Sequence, residues 1–139
     1  MSALQTVHEL LARHDPPLRV AVVGATNNTS KMGHRIVEVL RALGIEVLPV
    51  HPHDAVVAGL PAWPSVEAIP GFVDIVDLVV PPAVAAQVVR ALPAERVAAV
   101  WFQPGSSDVE AVAAASDRFA TVIVGDCVMV EARRVRSPR

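Results

Sequence analysis

The chain has no tyrosine, one lysine, one cysteine and only 4% aromatic residues among its 139. A single cysteine forms no intrachain disulfide and excludes a cysteine-rich zinc site. With so few aromatics the core must be built from small branched side chains under alanine-rich helices. A net charge of −2 leaves no electrostatic footprint for nucleic acid. No uncharged apolar run reaches the ~18 residues that a membrane helix needs. The opening stretch MSALQTVHELLARHDPP is broken by His8, Glu9, Arg13, His14 and Asp15, and lacks the pattern of a secretory signal. The expectation is a cytoplasmic chain that engages neither nucleic acid nor a membrane. Its one basic cluster, Arg133, Arg134, Arg136 and Arg139, reads as a frayed, solvated tail over residues 132–139.

What is present in quantity is apolar. Hydrophobic residues make up 53% of the chain and the mean hydropathy is +0.45. That suffices for one domain with a sheet buried on both faces. Leu4, Val7, Leu10 and Leu11 recur at helical spacing, so residues 4–14 read as a short helix stopped by Asp15-Pro16-Pro17. It precedes the sheet as an extension over residues 1–17.

A regular alternation follows. Arg19–Val23 is a β-branched run and reads as the first strand. Residues 32–43 carry Ile36, Val39, Leu40 and Leu43 on one face, with Gly44 suited to end the helix. Glu46–Val50 reads as the second strand. Pro49 lacks a ladder donor and belongs at an edge or a strand end. Residues 51–64 form a long connection rich in proline and glycine, and residues 65–69 a single helical turn. Residues 73–80, Val97–Phe102 and 120–124 read as strands three to five. Helices fill residues 82–92 and 107–118, the second capped by Ser106 or Ser107, and a short segment follows from Val128. Strand and helix in alternation demand parallel pairing through right-handed crossovers. The expected fold is α/β: a Rossmann-like, doubly wound, five-stranded parallel sheet with helices on both faces, plus the short N-terminal helix. The expected strand order is 3-2-1-4-5.

In such a sheet ligands lie beyond the carboxyl ends of the strands. The segment there is Gly24-Ala25-Thr26-Asn27-Asn28-Thr29-Ser30-Lys31-Met32-Gly33. Gly24 permits a sharp turn and Gly33 a close approach to the following helix. Amides at that helix start attract an anion. Thr26, Asn27, Thr29 and Ser30 can add neutral hydrogen bonds and Lys31 a full charge. The segment is neither a G-x-G-x-x-G fingerprint nor a Walker loop. An ordinary polar connection is the plainer alternative. After strand two, where a dinucleotide site has Asp or Glu for the ribose, the chain reads Val50-His51-Pro52-His53-Asp54. This counts against NAD. His51 can face a phosphate, or be a solvated loop residue; neither His51 nor His53 has the partners of a metal site.

From these residues onward the chain resembles the small stand-alone CoA-binding domain family, which shares its fold with the N-terminal domain of the succinyl-CoA synthetase α subunit. The matching pieces begin with Val20-Ala21-Val22-Val23-Gly24-Ala25 and the loop to Gly33. They continue with Val47-Leu48-Pro49-Val50-His51-Pro52, where the family typically has V-N-P, and Gly59-Leu60-Pro61-Ala62-Trp63-Pro64-Ser65-Val66. Val73-Asp74-Ile75-Val76-Asp77-Leu78, Val100-Trp101-Phe102-Gln103-Pro104-Gly105 and Gly125-Asp126-Cys127 complete them. The likeness spans residues 18–131. It implies CoA or an acyl-CoA across the strand ends, with its diphosphate over Gly24, Ala25, Thr26, Asn27, Thr29, Ser30, Lys31 and Gly33. The adenine end would reach His51 and Pro52 and the loop Val79-Val80-Pro81-Pro82, whose prolines offer a rigid apolar wall. Val80, Pro81 and Pro82 equally suit helix initiation.

Among the remaining candidates, Gln103 can hydrogen-bond a polar ligand group, and Trp101 reads as core. Trp63 covers apolar surface or a subunit contact. Asp74 or Asp77 pairs with an arginine, and His34 lies at the surface or caps its helix. Cys127 stands at a strand end, either packed and inert or able to form a mixed disulfide with CoA. No nucleophile–base–acid constellation is readable. The leading expectation is a non-catalytic CoA or acyl-CoA module, acting alone, as a homodimer or beside an enzyme partner. The alternative is an NAD(P)-binding oxidoreductase or redox sensor of the same fold.

Overall fold

The computed structural model describes residues 2–137. Its main sheet holds five parallel strands: β1 (Arg19–Val23), β2 (Glu46–Val50), β5 (Val73–Leu78), β6 (Val97–Phe102) and β7 (Thr121–Val124). A separate antiparallel hairpin, β3 (Val56–Val57) and β4 (Leu60–Pro61), sits in the long connection after β2. Helices α1 (Ala3–Ala12), α2 (Met32–Ala42) and α5 (Val128–Val135) cover one face of the sheet, and α3 (Pro82–Ala91) and α4 (Val109–Ser116) the other. The Rossmann-like α/β class is as expected.

The strand order is β2-β1-β5-β6-β7, so the expected order, which set the third main strand outside the second, is corrected. The outer edge of β2 is already taken. The Trp63 amide donates to the Pro49 carbonyl at 3.0 Å, and the His51 amide donates to the Trp63 carbonyl at 2.9 Å. Pro49 therefore turns its donor-less side away from β1, where no ladder bond is lost. With that edge occupied, β5 pairs on the other side of β1, Val22 opposite Asp77. The topological switch point consequently lies between β1 and β5.

Two smaller expectations also change. The α4 cap is Asp108, whose carboxylate accepts from the Ala111 amide at 2.8 Å, rather than Ser106 or Ser107. The N-terminal helix is no appendage, since Val7 and Leu11 are fully buried in the core. Ser2 and Gln5 close a capping box at its start. On the same helix His8 Nε2 meets the buried Glu131 of α5 at 2.8 Å.

The basic segment is likewise packed. Arg133 and Arg134 form the last turn of α5, where positive charge complements the helix dipole. Arg136 is buried, and its guanidinium donates to the carbonyls of Leu11, Arg13 and Leu43. Those carbonyls belong to the C-terminal ends of α1 and α2, which have no partners within their own helices. One side chain thus ties three helices together; Arg139 lies outside the described residues. Among the described residues no helix is long and apolar enough to cross a membrane. Arg136→Ala should therefore cost at least about 2 kcal/mol of stability, by leaving buried acceptors unmet. Urea unfolding of the two proteins measures this, and equal midpoints would refute the three-helix tie.

Candidate functional site

Gly24 ends β1 with φ +101°, and a β-carbon there would fall 2.2 Å from the Val79 carbonyl oxygen. Gly33, in the first turn of α2, is pressed against the loop's beginning: its β-carbon would sit 2.0 Å from the Gly24 carbonyl oxygen. The loop between them therefore leaves β1, crosses against β5 and returns to α2 with no room for a side chain at either crossing.

Most of the loop's polar side chains build the loop. Thr26 Oγ1 accepts from the Asn28 amide at 3.1 Å. Asn28 Oδ1 accepts from the Ser30 amide at 3.1 Å and from the Ser30 hydroxyl at 2.7 Å. Asn27 reaches the hairpin: its amide nitrogen donates to the Val56 carbonyl at 2.8 Å and to Asp54 at 3.1 Å, while its oxygen accepts from the Ala58 amide. Thr29 and Lys31 are exposed. Lys31 occupies the N-cap position of α2 without a side-chain cap bond. His34 is buried rather than at the surface; its Nδ1–H donates to the Thr26 carbonyl at 2.9 Å, and its Nε2 lies 3.0 Å from Glu38.

Beside this loop, at the carboxyl ends of β1, β2 and β5, opens a cleft of about 590 Å³. That is the size of ordinary small-molecule sites. Six of the expected residues meet there: Gly24, Ala25, Thr26, His51, Pro52 and Val80. The His51 ring is oriented by its own loop, with Nδ1 accepting from the amides of His53 and Asp54 at 3.1 and 2.8 Å. Pro81 and Pro82 instead form the N-cap and first turn of α3. Gln103 does not line the cleft: its side-chain oxygen accepts from the Val128 amide at 2.9 Å and its nitrogen contacts Cys127 Sγ at 3.5 Å.

Two walls of the cleft escape the reading of the sequence. One is residues 64–67, ending in the exposed carboxylate of Glu67. The other is an α3 stripe of Val84, Gln87, Val88 and Ala91. Its spacing of three, four and seven residues is that of one helix face. Ala85, Ala86 and Val89 of the same helix are buried in the core, so α3 has two apolar faces and only one is covered.

Asp74 pairs as expected, accepting from Arg13 at 2.7 Å and from the Arg19 amide at 2.8 Å. Asp77 does not: it is fully buried and neither carboxyl oxygen has a hydrogen-bond partner. Burial, and secondarily the charge of the neighbouring Cys127, push its pKa well above the ordinary carboxylate range.

The order of strands, the glycine-tight loop at the switch point and the apolar cleft beside it define a Rossmann-like domain whose cleft lies where such folds take their ligands. The chain belongs to the CoA binding domain family, whose model matches residues 18–133. The α subunit of acetate–CoA ligase (ADP-forming) II from Pyrococcus furiosus is 39% identical over 66 residues, 47% of this chain and 14% of that protein. An uncharacterised protein of Bacillus subtilis is 27% identical over 124 residues, 89% of this chain and 90% of that protein. A solved hypothetical protein from Pyrococcus horikoshii superposes with a TM-score of 0.84 at 28% identity, over 95% of this chain and 91% of that one.

A pH dependence follows from Asp77. Its native pKa lies above the unfolded value of about 3.9, so folding takes up a proton between the two. The contribution of Asp77 to stability is thus full at low pH and is lost as pH rises through the native pKa. Asp77→Asn keeps the shape and loses the titration. Its melting temperature, relative to the native chain, should be higher at about pH 8 than at about pH 5. A difference that stays flat across melts at the two pH values would contradict a buried neutral acid.

Proposed function

We propose that the chain is a non-catalytic module for CoA or an acyl-CoA, with the diphosphate over loop 24–33 and the adenine or pantetheine portion in the cleft against α3. The observation that carries this reading is the apolar cleft placed directly beside the glycine-tight loop at the β1/β5 switch point. The loop's side chains are largely turned to one another, so recognition of the anion falls to backbone amides and to the uncapped start of α2. Lys31, exposed at that start, supplies the positive charge. Gly24 and Gly33 suit the group indirectly, by seating the loop against the segment after β5 and against α2 so that its amides lie at the strand ends. Val84 and Val88 suit a flat ring or an alkyl arm. The cleft holds part of a CoA molecule, and the remainder extends along the strand ends. Chemistry on an acyl group would come from a partner, as befits kinship to one subunit of a ligase.

Isothermal calorimetry tests the reading. CoA should bind with micromolar affinity. Lys31→Ala should weaken it roughly tenfold, the loss of one charge-assisted contact. Val88→Trp, which fills the cleft, should abolish binding while the chain still unfolds cooperatively. NADH binding tightly with no response to CoA would overturn the proposal.

A further inference from the structure

The two walls of the cleft come from different parts of the chain. One is the turn at residues 64–67, the other the exposed stripe of α3. A single helical turn has little stability of its own, because nucleation fixes several residues for few hydrogen bonds. Inside this one, Ser65 Oγ accepts from the Ala68 amide at 3.3 Å and the Val66 carbonyl accepts from the Ile69 amide at 3.0 Å. Val66 and Ile69 are buried in the core that also holds Ala85, Ala86 and Val89 of α3. The carbonyls from residue 67 onward find no partner within the turn.

Those carbonyls meet Arg96. It ends a 3₁₀ turn, Ala94–Arg96, which follows α3 after Leu92 and Pro93. Its Nη1 donates to the carbonyls of Ile69 at 2.8 Å and Gly71 at 3.2 Å, and its Nη2 to that of Glu67 at 3.2 Å. Arg19, at the start of β1, takes the alternate carbonyls of the same segment, Pro70 at 3.0 Å and Phe72 at 2.6 Å. The last turn of α3 is held as well: Arg118 donates to the carbonyls of Val89 at 2.5 Å and Leu92 at 2.6 Å. Residues 82–96 thus supply one wall of the cleft and, through Arg96, grip the other. Of the carbonyls that Arg96 and Arg19 hold, only that of Glu67 belongs to a residue lining the cleft, and Arg96 is the one that takes it.

We infer that Arg96 is a positioning residue for the ligand: it sets the distance between turn 64–67 and α3 and so keeps the cleft in the shape that takes CoA. The inference rests on the CoA reading for its ligand. Without the guanidinium the three carbonyls turn to water, and the turn samples positions in which Pro64 and Glu67 stand away from Val84 and Val88. Only the tied position binds, so the apparent Kd rises in inverse proportion to its population. Lysine is a poor substitute, because one ammonium lacks the planar fork that spans separate acceptors.

The test compares the full chain with its Arg96→Met and Arg96→Lys variants by calorimetry with CoA, by urea unfolding, and by hydrogen exchange over residues 64–72. Arg96→Met should bind CoA about tenfold more weakly and Arg96→Lys about threefold. In unliganded Arg96→Met the amides of Ala68 and Ile69 should exchange faster, and saturating CoA should restore part of their protection. Arg136→Ala is the control. It loses contacts of the same kind on the face away from the cleft, so it should lose stability while its CoA affinity stays within about twofold of native. Native affinity in either Arg96 variant overturns the inference, and so does unchanged exchange over residues 64–72 in Arg96→Met. An equal loss of affinity in Arg136→Ala also overturns it, because general loosening would then be the cause. These three outcomes leave the CoA reading standing, whereas failure of the native chain to bind CoA removes both.

Discussion

At the end of β1 the chain passes within contact distance of two backbone carbonyls, Val79 ahead of it and its own Gly24 against Gly33. Everything at the ligand end of the sheet depends on those two close approaches. If Gly24 bore a side chain, β1 and the segment after β5 would have to separate. If Gly33 did, α2 would lift from the loop. Either movement would dissolve the floor between β1 and β5, which is where the reversal of strand order opens the cleft. Overpacking of this kind costs about 1–3 kcal/mol in a well-packed core, and more where backbone is the obstacle.

The rest of the polar architecture serves to hold that end rigid. Asn27 pins the loop to the β3–β4 hairpin, and His34 pins it to α2. At the opposite end Arg136 gathers the carbonyl ends of α1 and α2, and Asp74 joins Arg13 and the start of β1. In both places a charged or amide side chain satisfies backbone groups that secondary structure leaves open. A fold whose core is mostly valine and alanine gains little from shape-specific aromatic packing. Directional bonds at the element ends therefore supply much of its specificity.

This division explains what could be read from the sequence. Strand and helix identity follow from local patterning, and the runs at Arg19–Val23, Glu46–Val50 and Val97–Phe102 coincide with β1, β2 and β6. The place of loop 24–33 is visible because a run of glycine and small polar residues there separates a strand from a helix. The order of the strands is not local. It turns on Trp63 occupying the outer edge of β2, a pairing made by backbone atoms that leave no mark in residue identity. Arg136 is equally opaque, since a C-terminal run of arginines has the composition of a solvated tail whether or not one of them turns inward. The α3 stripe was legible in principle. Val84, Val88 and Ala91 recur at helical spacing beside the buried Ala85, Ala86 and Val89, but a helix apolar on two faces reads as a core helix.

Asp77 stands apart from these consistencies. β5 is the central strand, every one of its residues is buried, and at five of its six positions the side chain is either apolar or, at Asp74, paired. An unpartnered acid in that setting contradicts burial, hydrogen bonding and β-propensity together. Conflicts across several levels at once are found where function is maintained against stability. A Leu or Val in its place would pack into the face lined by Val22, Ala99 and Trp101 with no polar group to satisfy. The carboxyl group is therefore a net cost to the fold. The two faces of one sheet end thus differ: an apolar cleft beside the glycine-tight loop on one, and a buried acid without a hydrogen-bond partner on the other.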